Sequence, residues 1–319
     1  MKTVRTVLGE ITPEGLGPVN GHEHVFQVSP LLPGDELDDP ERSSAEVELL
    51  RGSGFAAMID ATPIGLGRRA TDLRRISEST SVQIVASTGV HRDAHYAADH
   101  PLQALGIEAR AELMLRDLID GMPVRDEDLF AAGSPRPART GVRAGMLKVG
   151  IEYWAITASE RMTIEAIARV HEATNAPVMV HLEFCTAGHE VLDLLAELGV
   201  AESSVLLAHA DRSPDAGLHC ELMGRGAFLG YDGMARSKVR SDEELLDLTE
   251  RVLGDGFDRL LLGGDVARSG RFVSYGGMPG MAYLGDRYLP RLQERIGDRA
   301  LSRILVDAPR ELLGRSWRR

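Results

Sequence analysis

The chain has 319 residues, of which 43% are hydrophobic and 26% charged, and its formal net charge is −12. Such a composition is that of an ordinary globular protein, and so acidic a surface repels phosphate backbones and anionic lipid, which argues against nucleic-acid or membrane partners. Two cysteines, Cys185 and Cys220, exclude a disulfide framework; with no apolar leader and no run near the ~20 apolar residues of a spanning helix, a cytoplasmic protein is expected.

Short apolar runs alternate with amphipathic segments along the whole length. A strand is predicted at Pro18–His24, and a second at Phe55–Ala61 followed by a helix over Arg68–Ser77. The strand Val82–Thr88 precedes a helix over Ala104–Gly121 and a long connection containing Gly133–Pro137. Then come strand Gly145–Gly150 with helix Ser159–Thr174, strand Pro177–Leu182 with helix Glu190–Leu198, and strand Ser204–His209 with helix Asp215–Gly224. Strand Phe228–Tyr231 leads into helix Asp242–Leu253, and strand Arg259–Gly263 into two closing helices, Gly280–Ile296 and Asp298–Leu313. The strands are short and rich in Val, Ile and Leu, as strands buried on both faces are. Eight of them alternating with helices predict an α/β fold, a single-domain (β/α)8 TIM barrel spanning 1–319, although an open doubly wound sheet shares the pattern.

The chemistry gathers at strand ends. The first strand finishes in His22-Glu23-His24, and residues two apart on a strand project to one face, so both imidazoles point together. His181 closes the fifth strand, His209 the sixth, and Asp265 follows the eighth. An apolar strand that breaks into a histidine or carboxylate at its last residue is costly unless that group is paired or metal-bound. In a barrel all five groups fall at the carboxyl-terminal face, where active sites form. Neutral imidazoles suit zinc, with manganese or cobalt accommodated by the same donors. His91 and His95 follow the third strand and could line the same mouth; the other histidines fall in predicted loops and helices.

Lys148 sits inside the apolar fourth strand, in AGMLKVG. A lysine there either snorkels, pairs with Glu152, or loses its proton, since burial lowers its pKa. The neutral amine can take up carbon dioxide as a carbamate, an anion able to bridge two cations.

The opening TVLGEITPEGLGPVNGHEHVF, the segment AGMLKVG, the strand-end histidines, the GGD segment and the closing ILVDAPRELL together resemble the phosphotriesterase family of the amidohydrolase superfamily, over nearly the whole chain. The resemblance implies a metal-dependent hydrolase with two divalent ions. His22, His24 and Asp265 would hold the more buried ion and His181 and His209 the second, with carboxylated Lys148 and a hydroxide bridging both. Some relatives carry glutamate at the bridging position, where this chain has lysine. The bridging hydroxide would attack a polarised ester, and Asp265 would accept the proton. The family also suggests a homodimer.

Specificity is expected from the loops after the seventh and eighth strands, which carry Arg236, Lys238 and Arg240, then Arg268, Arg271 and Tyr275. Salt bridges to Asp232, Asp242 and Asp286 are one explanation for so many cations in an acidic protein. The other is an anion pocket, because loops seven and eight of barrels often bind phosphate. A lysine in loop seven and an arginine three residues past the metal-binding aspartate resemble the family's phosphorylated sugar lactonases, which implies that Lys238, Arg268 and Tyr275 hold a phosphate, with Arg271 beside them. The leading expectation is a lactonase opening a phosphorylated furanose lactone, hence an anionic small-molecule substrate. An N-acyl-homoserine lactonase with weak organophosphate triesterase activity is the runner-up; it wants an apolar channel, whereas loop eight is cationic. An amidase for a small N-acyl amine, and a non-catalytic metal-binding barrel, are further readings. Cys185 and Glu183 both lie just past His181; Cys185 is expected to pack or to support the site rather than react, and Glu183 either to contact substrate or to form an ion pair.

Overall fold

In the computed structural model, which describes residues 1–130 and 137–318, an antiparallel hairpin of β1 (Val4–Thr6) and β2 (Gly9–Ile11) precedes an eight-stranded parallel sheet. The barrel strands are β3 (Val19–Glu23), β4 (Ala57–Asp60), β5 (Gln83–Val90), β6 (Met146–Ile151), β7 (Val178–Leu182), β8 (Val205–Ala208), β9 (Phe228–Tyr231) and β10 (Leu260–Leu262), neighbours in chain order throughout. The helices are α1 (Pro40–Gly52), α2 (Ala70–Thr80), α3 (Ile107–Ile119), α4 (Ala158–Thr174), α5 (Gly188–Glu197), α6 (Ala216–Gly224), α7 (Asp242–Gly254), α8 (Leu289–Ser302) and α9 (Ala308–Leu313). This is the expected (β/α)8 barrel. Within the long connection, Gly133–Arg136 of the glycine- and proline-containing stretch lies outside the described residues.

The two ends of the sheet meet. The amides of Gly264 and Asp265, just past β10, donate to the carbonyl of His22 in β3, at 3.2 and 2.9 Å. Gly263 makes this approach possible: a Cβ there would lie 2.7 Å from Cβ of His22.

Inside the barrel, Ile59, Val85, Met146, Met179, Leu206, Phe228 and Leu261 form one apolar cluster, capped below by Val4 and Leu16 and by Leu312 and Leu313 of α9. Strand alternation then sets the layer above. Lys148 stands two residues after Met146 and His181 two after Met179, so both point inward where the apolar filling stops. The first strand differs. Val19 belongs to the inner cluster, yet His22 and His24 have the opposite parity. A register shift between Asn20 and Glu23 lets both be true, as a bulge turns the later side chains to the other face.

Most helices match expectation within a few residues. The predicted helix Ala104–Gly121 is shorter, because a 3-10 turn over Pro101–Ala104 and Gly106 at the N-cap delay its start. The predicted break between the closing helices falls at Gly297, whose φ of 75° is non-helical. Helix α1 was not foreseen. Its start is well marked, with Asp39 capping the amides of Glu41 and Arg42 ahead of Pro40. Its buried face, however, mixes Ser43 and Glu46 with Val47 and Leu50, which blurs the apolar stripe that marks an amphipathic helix. Glu46 is buried because it accepts from the amides of Ser274 and Met281, and so pins the last loop to α1.

Candidate functional site: a histidine-lined cavity and a cationic mouth

His24, Lys148, His181, His209 and Asp265 all face one cavity of about 220 Å³, and His22 is buried beside Asp265. Oδ1 of Asp265 stands 3.8 Å from Nε2 of His22 and 3.7 Å from Nε2 of His24, and the three groups could hold a metal ion. His22, His209 and Asp232 form a second such group. The imidazoles run on in series, with ring centroids 4.8 Å apart for His22 and His209 and 4.5 Å for His209 and His181.

Neighbouring oxygens decide which nitrogen each ring presents. Nδ1 of His209 lies 2.6 Å from Oδ1 of Asp232, and Nδ1 of His22 lies 3.2 Å from the other oxygen of the same carboxylate. Nδ1 of His24 meets the hydroxyl of Thr62 at 2.8 Å. These three rings therefore keep Nε2 for the cavity. His181 is turned the other way, with Nε2 2.9 Å from Oε1 of Glu183. Oxygen partners of this kind orient metal-binding imidazoles.

The electrostatics suit cation binding. Burial, reinforced by Lys148 near His24, by His209 near His181 and by Arg212 near His209, holds these three imidazoles well below the usual histidine range, so they are neutral and keep a lone pair. Burial also lowers the Lys148 amine to about 8, against the pull of Asp265, Asp232 and Asp60. Its Nζ is buried with no hydrogen-bond partner, and Nε2 of His22 has none either. Buried nitrogens without partners among neutral imidazoles and carboxylates make a donor set that suits a divalent ion.

Asp265 is held from two sides. Its backbone adopts φ 45°, its amide is bonded to His22, and the next amide, Val266, donates to the buried carboxyl of Glu23 at 2.9 Å. Burial raises that Glu23 carboxyl to about 8. Burial acts on Asp265 in the same sense, but the guanidinium of Arg236, 2.6 Å from Oδ2, with His209 and His22, overcomes it and holds Asp265 below the usual carboxylate range.

The cationic residues divide. Arg268 lines the histidine cavity and also an adjoining one of about 550 Å³, where Lys238, Arg271 and Arg236 join it. Arg268 stands 3.9 Å from Asp35, and Arg271 donates to the carbonyl of Met234. Tyr275 is not brought there. Its hydroxyl accepts from the amide of Asp39 at 2.8 Å and donates to the carbonyl of Asp39 at 3.0 Å, which ties the loop to the start of α1. Asp242, offered above as a partner for the loop cations, instead caps Ala235 and accepts from Tyr283. Lys148 and Glu152 do not pair either: Glu152 is taken by Arg92 at 2.9 Å.

Sequence reasoning missed Asp232, Thr62, Arg92 and Arg212 as members of the site. Asp232 had a readable signal, a carboxylate directly after an apolar strand, the same mark that revealed Asp265. His91 and His95 line the cavity as foreseen, stacked at 3.8 Å. Cys185 is buried, and burial pushes its thiol up to about 12, so it packs rather than attacks.

The family model described as the Phosphotriesterase family matches residues 2–313. A phospho-furanose lactonase from Mycoplasmopsis agalactiae is 27% identical, over 98% of this chain and 91% of its own. An N-acetyltaurine hydrolase from Tetraodon nigroviridis is 26% identical, over 97% of each. The crystal structure of a lactonase from Listeria monocytogenes superposes with a TM-score of 0.86, 27% identity and 98% coverage of both chains.

Proposed function

The chain belongs to the phosphotriesterase family of metal-dependent hydrolases, and from that premise we propose that it is a lactonase opening a phosphorylated sugar lactone. His22, His24 and Asp265 would hold one divalent ion and His181 and His209 the other, with Lys148, as its carbamate, a further ligand. The fit rests on the neutral imidazoles, the unpartnered Nζ of Lys148 and the carboxylates within reach. Zinc suits the nitrogen donors best, and manganese or cobalt would accept the same set. Bound there, the ions supply Lewis acidity and a water acidic enough to attack at neutral pH.

The chain's own residues do the rest. An amine held near 8 has a substantial neutral fraction at cellular pH, and the neutral amine is the form that adds carbon dioxide. Asp232 and Thr62 hold three rings with Nε2 toward the cavity, so no reorientation is needed when substrate arrives. Asp265 is placed to take the proton released by the attacking water at a carboxylate oxygen, and Arg236 beside it keeps that carboxylate ionised until then. The lactone opens without losing a fragment, so its distal phosphate can stay on Lys238, Arg268 and Arg271 throughout.

One observation carries the substrate reading: four cationic side chains line the cavity adjoining the histidine cluster in a protein of net charge −12. The test is kcat/KM for lactones supplied with and without their phosphate, on metal-loaded protein. A preference of ~100-fold, about 2.7 kcal/mol of transition-state binding, is expected. Equal rates would remove the phosphate from the proposal. The N-acetyltaurine hydrolase relative favours a second reading, hydrolysis of an amide whose far end is likewise anionic. N-acylated aminosulfonates in the same assay separate the two.

A further inference from the structure

Glu183 belongs to neither proposed ligand set and lines the same cavity, 16% exposed at its side chain. Both its oxygens are engaged. Oε1 receives Nε2 of His181 and Nη2 of Arg92, each at 2.9 Å, and Oε2 lies 3.4 Å from Nη1 of Arg212. Arg92 is itself anchored by Glu152 at 2.9 Å. A fixed chain of charge thus runs from the rim, through Glu152, Arg92 and Glu183, to the His181 ring.

The backbone is shaped to place it. Phe184, Cys185 and Ala187 have φ of 53°, 57° and 58°, values that side-chain-bearing residues rarely adopt. The amide and hydroxyl of Thr186 fold back onto the carbonyl of Glu183 at 3.0 and 2.6 Å. Non-glycine residues in this region persist only where the surroundings enforce them. Here the turn brings a carboxylate back to the ring two residues before it.

The other rings do not share this partner. His22 and His209 divide Asp232, and His24 uses Thr62. Glu183 serves His181 alone. Without it, His181 could present either nitrogen, and only the tautomer protonated at Nε2 leaves Nδ1 free to ligate.

We propose that Glu183 is a positioning residue that sets the affinity of one metal only, the ion held by His181 and His209, by fixing His181 with Nδ1 toward the cavity. This rests on the two-metal reading above. The experiment uses the full-length, zinc-loaded protein, with zinc retention followed against a graded chelator. In Glu183→Ala, one of two zinc equivalents is expected to bind roughly 10–100-fold more weakly, and the other as in wild type. Glu183→Gln keeps an oxygen acceptor for Nε2–H and should fall between them. Ring ¹⁵N spectra should show His181 protonated at Nε2 in wild type and in Glu183→Gln; this measurement carries the test should Glu183→Ala fail to fold. Unchanged retention of both ions in a folded Glu183→Ala, equal weakening of both, or a His181 ring protonated at Nδ1 in wild type would overturn the inference. Wild-type protein binding fewer than two zinc ions would overturn the reading beneath it as well.

Discussion

The histidine end of the cavity is built on strand ends, whereas the cationic end is built on loops, and the two behave differently under the same physical rules. At the strand ends, inward-pointing positions are set by the alternation of β6 and β7 above a shared apolar layer, and His22, His24, His181 and His209 are each buried against a fixed oxygen partner. At the cationic end, Arg268 leans toward Asp35 at 3.9 Å and Arg271 toward a backbone carbonyl at 3.4 Å, contacts too long to hold a side chain firmly. Position on a parallel strand specifies direction; position in a loop does not. On the proposed function, reactive geometry lies in the rigid part and substrate choice in the adaptable one.

Removing the residue most constrained by the strands should have the largest effect. Lys148→Ala is expected to lower kcat/KM by at least ~10³-fold, roughly 4 kcal/mol, with bound metal falling below two ions per chain by elemental analysis. Activity and full metal content in that variant would break the contrast at its centre. The same lysine gives a pH dependence. Its amine sits near 8 in the folded protein and is protonated below that value. The rate at which metal-free protein regains activity with zinc, at fixed dissolved carbon dioxide, should therefore rise about tenfold per pH unit from 6 toward 8 and level off above. A flat profile would argue against a carboxylated lysine.

Asp232 tests whether the partners matter as much as the ligands. Asp232→Asn should weaken zinc binding by about 10–100-fold at both ions, since the carboxylate touches rings assigned to each. The loop side should respond more gently. Lys238→Ala and Arg268→Ala are each expected to raise KM for a phosphorylated lactone by about tenfold, near 1.4 kcal/mol, and to leave its unphosphorylated counterpart unchanged. The smallest change sharpens the boundary between the two regions. Tyr275→Phe should leave KM alone and reduce stability by about 1 kcal/mol in denaturant titration, because its hydroxyl serves the start of α1. A KM effect there would return Tyr275 to the substrate.

Much of this was legible beforehand, for reasons that differ by residue. His181 and Lys148 announce themselves as polar breaks in apolar strands, where burial without a purpose is expensive. Asp232 carries the same mark but, standing among charged loop residues, reads as a salt-bridge partner until its two imidazoles are placed around it. Helix α1 was hidden because Ser43 and Glu46 occupy its inner face, and they are tolerated only because Val25 and the last loop supply their hydrogen-bond partners. Tyr275 failed the other way: an aromatic near the cations in sequence, it is turned by the loop toward α1.

Sequence by itself determined the alternation of eight strands with helices and the shared faces of Met146 with Lys148 and of Met179 with His181, because the two-residue period of a strand is local and needs no partner to be read. Only the tertiary structure decided which ring nitrogen each histidine presents, which carboxylate steadies it, and which loop residues reach the cavity. Those depend on contacts between segments as distant as His22 and Asp232, or Tyr275 and Asp39, and such pairings exist only after the barrel has closed.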